Sequence, residues 1–303
     1  MIRVCISGAA SRVAGELIRI LVNHPDVELA AAYAAGHTGE RVTSVHHGLI
    51  GETDLQLSDT PPQPSAIDAL VICEPSDYAA EIALNPRKYP GLRVIDMSGC
   101  YASDPRAEMD LGISEINRKT LVRGATRAYV PGAAVVEALI ALYPFAGSLL
   151  LGDDIAVSLS GRYSGDAQAD GCKVAAVLAT VQNSFSSNVL FTPSADCAAG
   201  GRGLRLGITF PSTLLPQDIR ALYDSVYDDH HFTFLAPHPL EMKEVEGTHK
   251  CLIHVDKLDA ATVHLDVIAD AVVRGGAGDA VHVLNLLFGL HERTGLALKA
   301  SEF

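Results

Sequence analysis

The stretch "IRVCISGAASRVAGELIRILVNHPDVELAAAYA" (Ile2–Ala34) decides the architecture of this chain. IRVCIS is a short, nearly continuous apolar run, the pattern of a strand buried on both faces. SGAAS is a turn of small residues. AGELIRILVNH then repeats its apolar residues at helical spacing, and VELAAAYA returns to strand. Strand, helix and strand in this order make a βαβ unit with parallel strands. The rhythm continues through ALVIC, RVIDMS and RAYV, with polar turns and helical pieces between them. Apolar strands in that order imply a parallel sheet covered on both sides, a Rossmann-like doubly wound fold. This first domain is expected over residues 1–147, completed by a C-terminal helix, residues 276–303.

The second half reads differently. DIAVSLSG, NVLFTP, GLRLGITFP, KCLIHVDKL and TVHLDVIADA are longer, alternating strands of a mixed sheet. DAQADGCKVAAVLATVQN and PQDIRALYDSVYDD are helices, the second with Pro216 in its first turn. Residues 148–275 are therefore expected to form an α+β domain for substrate and dimerisation. Neither repeats nor low-complexity tracts interrupt the chain.

The chain has 303 residues, of which 48% are hydrophobic and 19% charged, enough for a substantial core in two domains. Its net charge of −13 and the lack of any basic run exclude nucleic acid and acidic membrane surfaces as partners. A small acidic substrate is compatible, because a helix N-terminus can hold an anion against the net charge. MIRVCIS enters a strand directly, so no signal peptide is expected and the chain is placed in the cytoplasm. VVEALIALYPFAGSLLLG contains Glu137 and Pro144 and reads as a core helix, not a membrane span. The six cysteines form no CxxC pair and the histidines are scattered, so buried free thiols and no metal are expected.

A dinucleotide fold wants glycines in the turn after its first strand, and this turn supplies Gly8, Ser11 and Ala14 at that spacing. Either a nucleotide site or a vestigial turn fits. The second strand ends at AYAAGHTGER, with no acid for a ribose hydroxyl and with Arg41 arriving late, so NAD or NADP binding is expected to be weak or absent. SLSGRYSGDAQ is the strongest anion-site candidate, with Ser160, Gly161, Ser164 and Gly165 before a helix and Arg162 as a fork for carboxylate or phosphate. The plainer reading is a capping loop with Ser164 or Asp166 as the cap. MKEVEGTHKC places Lys243, Thr248 and His249 about a glycine turn. His249, Lys243 and Tyr163 are the candidates to move a proton, although a surface histidine is the simpler account of His249. Cys100 ends a strand near the expected crevice, as a displaced nucleophile or a buried bystander thiol.

RAYVPGAAVV hands a strand to a helix at a Pro-Gly turn, where a helix N-terminus would activate a thiol, and offers only Ala133 and Ala134. Together these stretches resemble the N-acetyl-γ-glutamyl-phosphate reductase family, the arginine-biosynthetic branch of the semialdehyde dehydrogenases. VIDMSGCYASDP, ISEINRKTLVRGATRAYVPG and LFTPSADCAAGGRGLRLGI are similar to family segments, and VVRGGAGDAVHVLNLLFGLHERTGL is the most specific match. The resemblance implies two-step reduction of an acyl phosphate: a cysteine forms a thioester, NADPH delivers hydride, and a histidine assists. It also implies anion binding by Ser160, Ser164 and Gly165. It assigns Lys243, Gly247 and Thr248 to a retained turn, with Glu246 and His249 as exchanges, and Asn285 to the cofactor crevice. A homodimer or homotetramer is expected.

Four departures stand against that chemistry. Ala133 occupies the nucleophile position, the family's histidine segment has no counterpart, the fingerprint keeps one glycine of three, and Ala35 aligns with the arginine used near the cofactor phosphate. Loss of the nucleophile from a covalent mechanism costs several orders of magnitude in rate, on the order of 10⁶-fold in a serine protease. The expectation is an enzyme of altered chemistry on an amino-acid-derived acid or acyl phosphate, by direct hydride transfer or a non-redox step. The alternatives are a non-catalytic homologue that binds a metabolite or partner, and an NADP-dependent reductase with its nucleophile moved to Cys100.

Overall fold

A computed structural model describes residues 1–197 and 201–300. Ala198–Gly200 of the LFTPSADCAAGGRGLRLGI stretch and Ser301–Phe303 of the C-terminal span lie outside the described residues. The chain forms two compact units, Met1–Pro131 with Gly276–Ala297, and a second that begins at Gly132 and runs to Gly275.

The first unit runs β1 (Ile2–Ser7), α1 (Arg12–Leu21), β2 (Val27–Tyr33), α2 (Val42–Val45), β3 (Leu57–Ser58), β4 (Ala69–Ile72), α3 (Asp77–Ala83), β5 (Arg93–Asp96), β6 (Asp110–Leu111), α4 (Ser114–Arg123) and β7 (Arg127–Tyr129). Its strands pair in parallel in the order β3-β2-β1-β4-β5-β7-β6. This is the doubly wound sheet that the apolar runs imply, and Val4, Cys5 and Ile6 of β1 and Leu70 and Ile72 of β4 are fully buried. In α1, Ser11 caps the helix by accepting from the Ala14 N–H, and Ala14, Leu17, Ile18 and Leu21 form the buried stripe at helical spacing.

The second unit runs α5 (Ala133–Gly147), β8 (Ile155–Gly161), α6 (Ala167–Val181), β9 (Val189–Pro193), β10 (Gly203–Pro211), α7 (Pro216–Tyr227), β11 (Thr233–Leu235), β12 (Cys251–Asp259) and β13 (Thr262–Asp270). The sheet order is β11-β12-β13-β10-β8-β9, antiparallel at its centre with a parallel pair at each edge. Ile155, Val157 and Leu159 of β8 are buried, whereas Ala156 and Ser158 between them are exposed. The last helix, α8 (Gly278–Leu287), returns to the first unit and packs on α4 and α1.

The units divide at Pro131, whereas the sequence reading set the boundary at residue 147. The reason is α5, which is apolar on all sides and packs against α6, α7, β10 and β13. Pro144 in its last turns has no N–H for the Ile140 carbonyl, and the Tyr227 hydroxyl donates to that oxygen instead at 2.6 Å. Tyr223 donates to the next carbonyl, Ala141, at 2.5 Å. Among the described residues no helix is long and apolar enough to cross a membrane, so VVEALIALYPFAGSLLLG is a core helix and the loop after it.

Candidate active site

In the first unit the chain leaves β1 toward β2 on one side and finds β4 on the other, so the crevice of a doubly wound sheet opens where β1 and β4 end. Gly8 follows β1 with φ +79°, a conformation that favours glycine. A Cβ at Gly8 would stand 2.6 Å from the Cβ of Glu74, which follows β4. The glycine thus lets the end of β4 pass close to the turn. The Gly8 and Ala9 N–H groups both donate to the Tyr33 carbonyl, at 3.0 and 2.9 Å. Ser11 serves as the α1 cap, and Ala14 is buried in the core stripe. His46 Nε2 donates to the Ala9 carbonyl at 2.8 Å, and its ring lies against Gly15, where a Cβ would meet Nδ1 at 2.5 Å. The one extra glycine near the fingerprint therefore makes room for an imidazole. Ala35, just past β2, is exposed and offers no charge.

Asn285, assigned to the cofactor crevice by resemblance, is fully buried. His24 accepts from the Asp26 N–H at Nδ1 and so donates through Nε2 to Asn285 Oδ1 at 3.0 Å. The Asn285 amide donates to the Glu292 and Thr294 carbonyls at 3.2 and 2.9 Å. Its polar atoms hold the C-terminal turn within this unit. The turn after β1 thus keeps one glycine of the fingerprint, has its Gly8 and Ala9 amides on Tyr33, and meets the Glu74 side chain at the end of β4.

Cys100 lies in the loop after β5, which the buried Asp96 carboxylate organises by accepting from Ser98 N, Ser98 Oγ and Tyr101 N. Its thiol is exposed, not a buried bystander. Cys172 is also exposed and Cys197 partly so, which corrects the expectation of six buried thiols. Only Cys5, Cys73 and Cys251 are buried. Burial raises the Cys5 thiol to about 12 and Cys73 higher still.

In the second unit Ala133 is the first residue of α5, after the Gly132 cap. Gly275, at φ +69°, lays its backbone against Ala133 so closely that any side chain there would collide with the Ala133 backbone. The next residue back, Arg274, is fully buried and its Nη1 lies 3.0 Å from His249 Nε2. A guanidinium only donates, so His249 accepts at Nε2 and carries its ring proton on Nδ1. The His249 ring is buried and meets Phe232 edge to face at 4.5 Å between centroids. This is not the surface histidine that its glycine turn suggested. Gly247 N donates to the buried Asp270 carboxylate, which also accepts from Arg202. Thr248 Oγ1 donates to the Val245 carbonyl, and Lys243 is exposed on the adjoining 3-10 turn.

Ser160 and Gly161 are the last residues of β8, and Arg162–Asp166 join the strand to α6. The cap is Asp166, whose carboxylate accepts from Gln168 N and Ala169 N. Those are the amides that an anion at this helix end would use. Tyr163 donates to Asp170 at 3.0 Å, and burial with that neighbouring carboxylate pushes its phenol well above the ordinary value. The Arg162 guanidinium reaches the Gly201 carbonyl at 3.2 Å. Ser164 and Gly165 are exposed and Ser160 half-buried. The loop therefore gathers the predicted residues but already holds two carboxylates of its own. The sequence reading missed Glu74 and Arg274.

A switch-pointed parallel sheet with a mixed-sheet second unit defines a two-domain fold of the semialdehyde dehydrogenase class. Aspartate semialdehyde dehydrogenase II from Vibrio cholerae, solved in complex with ASA, matches 95% of this chain and 98% of its own with TM-score 0.72 at 15% identity. The aspartate semialdehyde dehydrogenase from Candida albicans, solved with NADP, matches 95% and 98% with TM-score 0.66 at 13% identity. Residues 3–123 match the family described as semialdehyde dehydrogenase, NAD binding domain. N-acetyl-gamma-glutamyl-phosphate reductases from Parabacteroides distasonis and Bacteroides thetaiotaomicron are 32% and 30% identical over the whole of both chains. The chain belongs to the N-acetyl-gamma-glutamyl-phosphate reductase family.

Proposed function

We propose that this chain is an enzyme of that family which handles an amino-acid-derived acid or acyl phosphate without forming an enzyme thioester. The observation that carries the reading is Ala133 at the start of α5, with the Gly275 backbone against it. A methyl group has no lone pair with which to displace phosphate. The poor fit of the β1 turn to a dinucleotide favours a non-redox step over direct hydride transfer, with any remaining nucleotide site weak. The buried Arg274–His249 pair favours a working enzyme over an inert homologue, because a guanidinium kept in the interior is costly unless paired. Arg162 is the group we assign to the substrate carboxylate, and Lys243 and His249 to proton handling. Tyr163 serves less well, since its proton is held by Asp170.

The purified chain supplied with N-acetylglutamate semialdehyde, phosphate and NADP is expected to produce no NADPH above background. Turnover at ordinary rates that vanishes in Cys100→Ser would overturn the reading and assign the nucleophile to Cys100.

A further inference from the structure

At the switch point the side chain that comes nearest to Gly8 itself carries a negative charge. Cβ and Cγ of Glu74 lie 2.6 and 3.0 Å from where a Gly8 Cβ would stand, which leaves the carboxylate one bond beyond. Glu74 is exposed, and its carboxylate meets no cation at ion-pair distance among the described residues. In a doubly wound sheet the pyrophosphate of a dinucleotide lies against this turn, at the ends of the two strands that flank the switch point. The same turn gives its Gly8 and Ala9 amides to the Tyr33 carbonyl, so those two donors are not turned toward an anion in the crevice.

We propose that Glu74 is a specificity-determining residue which disfavours pyrophosphate at this turn and thereby keeps dinucleotide affinity low. The inference rests on the reading that a weak nucleotide site persists. Two like charges at this range repel, and the repulsion is screened by salt because the site is open to solvent. Ligands that lack the pyrophosphate escape it.

The test is calorimetric titration of the full-length chain and Glu74→Gln with NADH, NADPH and adenosine, at low and high ionic strength. Gln keeps the shape and removes the charge at an exposed position, so folding is expected to be unaffected. Glu74→Gln should bind both dinucleotides about tenfold more tightly, equivalent to ~1.4 kcal/mol. The gain should shrink in high salt, and adenosine should bind both proteins alike. Equal dinucleotide affinity in the two proteins would overturn the role of Glu74 alone. Weaker binding by the variant would also overturn it, because the carboxylate would then be gripping ribose hydroxyls. Absence of dinucleotide binding by both at millimolar concentration would overturn the inference together with the nucleotide reading.

Discussion

Gly275 and Ala133 show how a single residue closes a chemical option. The α5 corner has the geometry that activates a thiol, yet its side chain is a methyl group and the facing position is backbone. The close approach depends on Gly275 twice, through its positive φ and through the absence of a side chain that would strike the Ala133 backbone. Gly275→Ala should therefore destabilise the chain by at least ~2 kcal/mol, from backbone strain and overpacking together. Urea denaturation followed by circular dichroism measures this. A midpoint unchanged from the parent would mean that the two segments separate at little cost and that the corner is not closed.

Helix α5 raises the same kind of accounting for a whole element. A proline near its end should leave a buried carbonyl without a partner, and the partner comes from another helix. Tyr227 of α7 donates to Ile140, the oxygen four residues before Pro144. Tyr227→Phe should cost about 1–3 kcal/mol, the penalty for leaving a buried acceptor unpaired. In a Pro144→Ala background the same change should cost less, because the restored N–H of residue 144 can reach Ile140. A double-mutant cycle in urea tests the coupling. Equal costs in both backgrounds would show that the tyrosine acts through packing alone. The apolar character of α5 was legible from its residues, but its allegiance was not. A helix that is buried on all sides has no polar stripe to say which neighbours it meets.

Across the whole molecule, what the sequence disclosed depends on how local the cause is. IRVCIS and GLRLGITFP were readable because burial or alternation is written residue by residue, and β10 spans the same nine positions, Gly203–Pro211. Strands β3, β6 and β11, of two or three residues, are too short to carry a pattern. The fingerprint positions were found by spacing. Glu74 was not, since it reaches Gly8 only through the order of strands in the sheet. His249 became a buried group because Arg274, on a distant segment, supplies its partner. Charge behaves likewise, and acid stability follows from pairs formed only on folding. Arg106 donates through its side chain and then its backbone N–H to Asp104, which lowers that carboxyl to about 2, and Arg3 lowers Asp68 chiefly through side-chain bonds. Both groups bind protons more weakly folded than unfolded. Their stabilisation is therefore complete above the ordinary carboxylate range, near pH ~4, and is lost as pH falls through the folded values. Asp110 has the opposite sign: desolvation raises it, so protonation favours the fold and offsets part of the loss. Because the pairs are open to solvent on one side, the effect should be modest and weaken in salt. Thermal unfolding of the parent should thus fall steadily from pH ~4 toward ~2, with a shallower slope in an Asp68→Asn, Asp104→Asn double variant. Identical acid limbs for the two proteins would place the acid sensitivity elsewhere, among the other carboxylates of a chain whose net charge is −13.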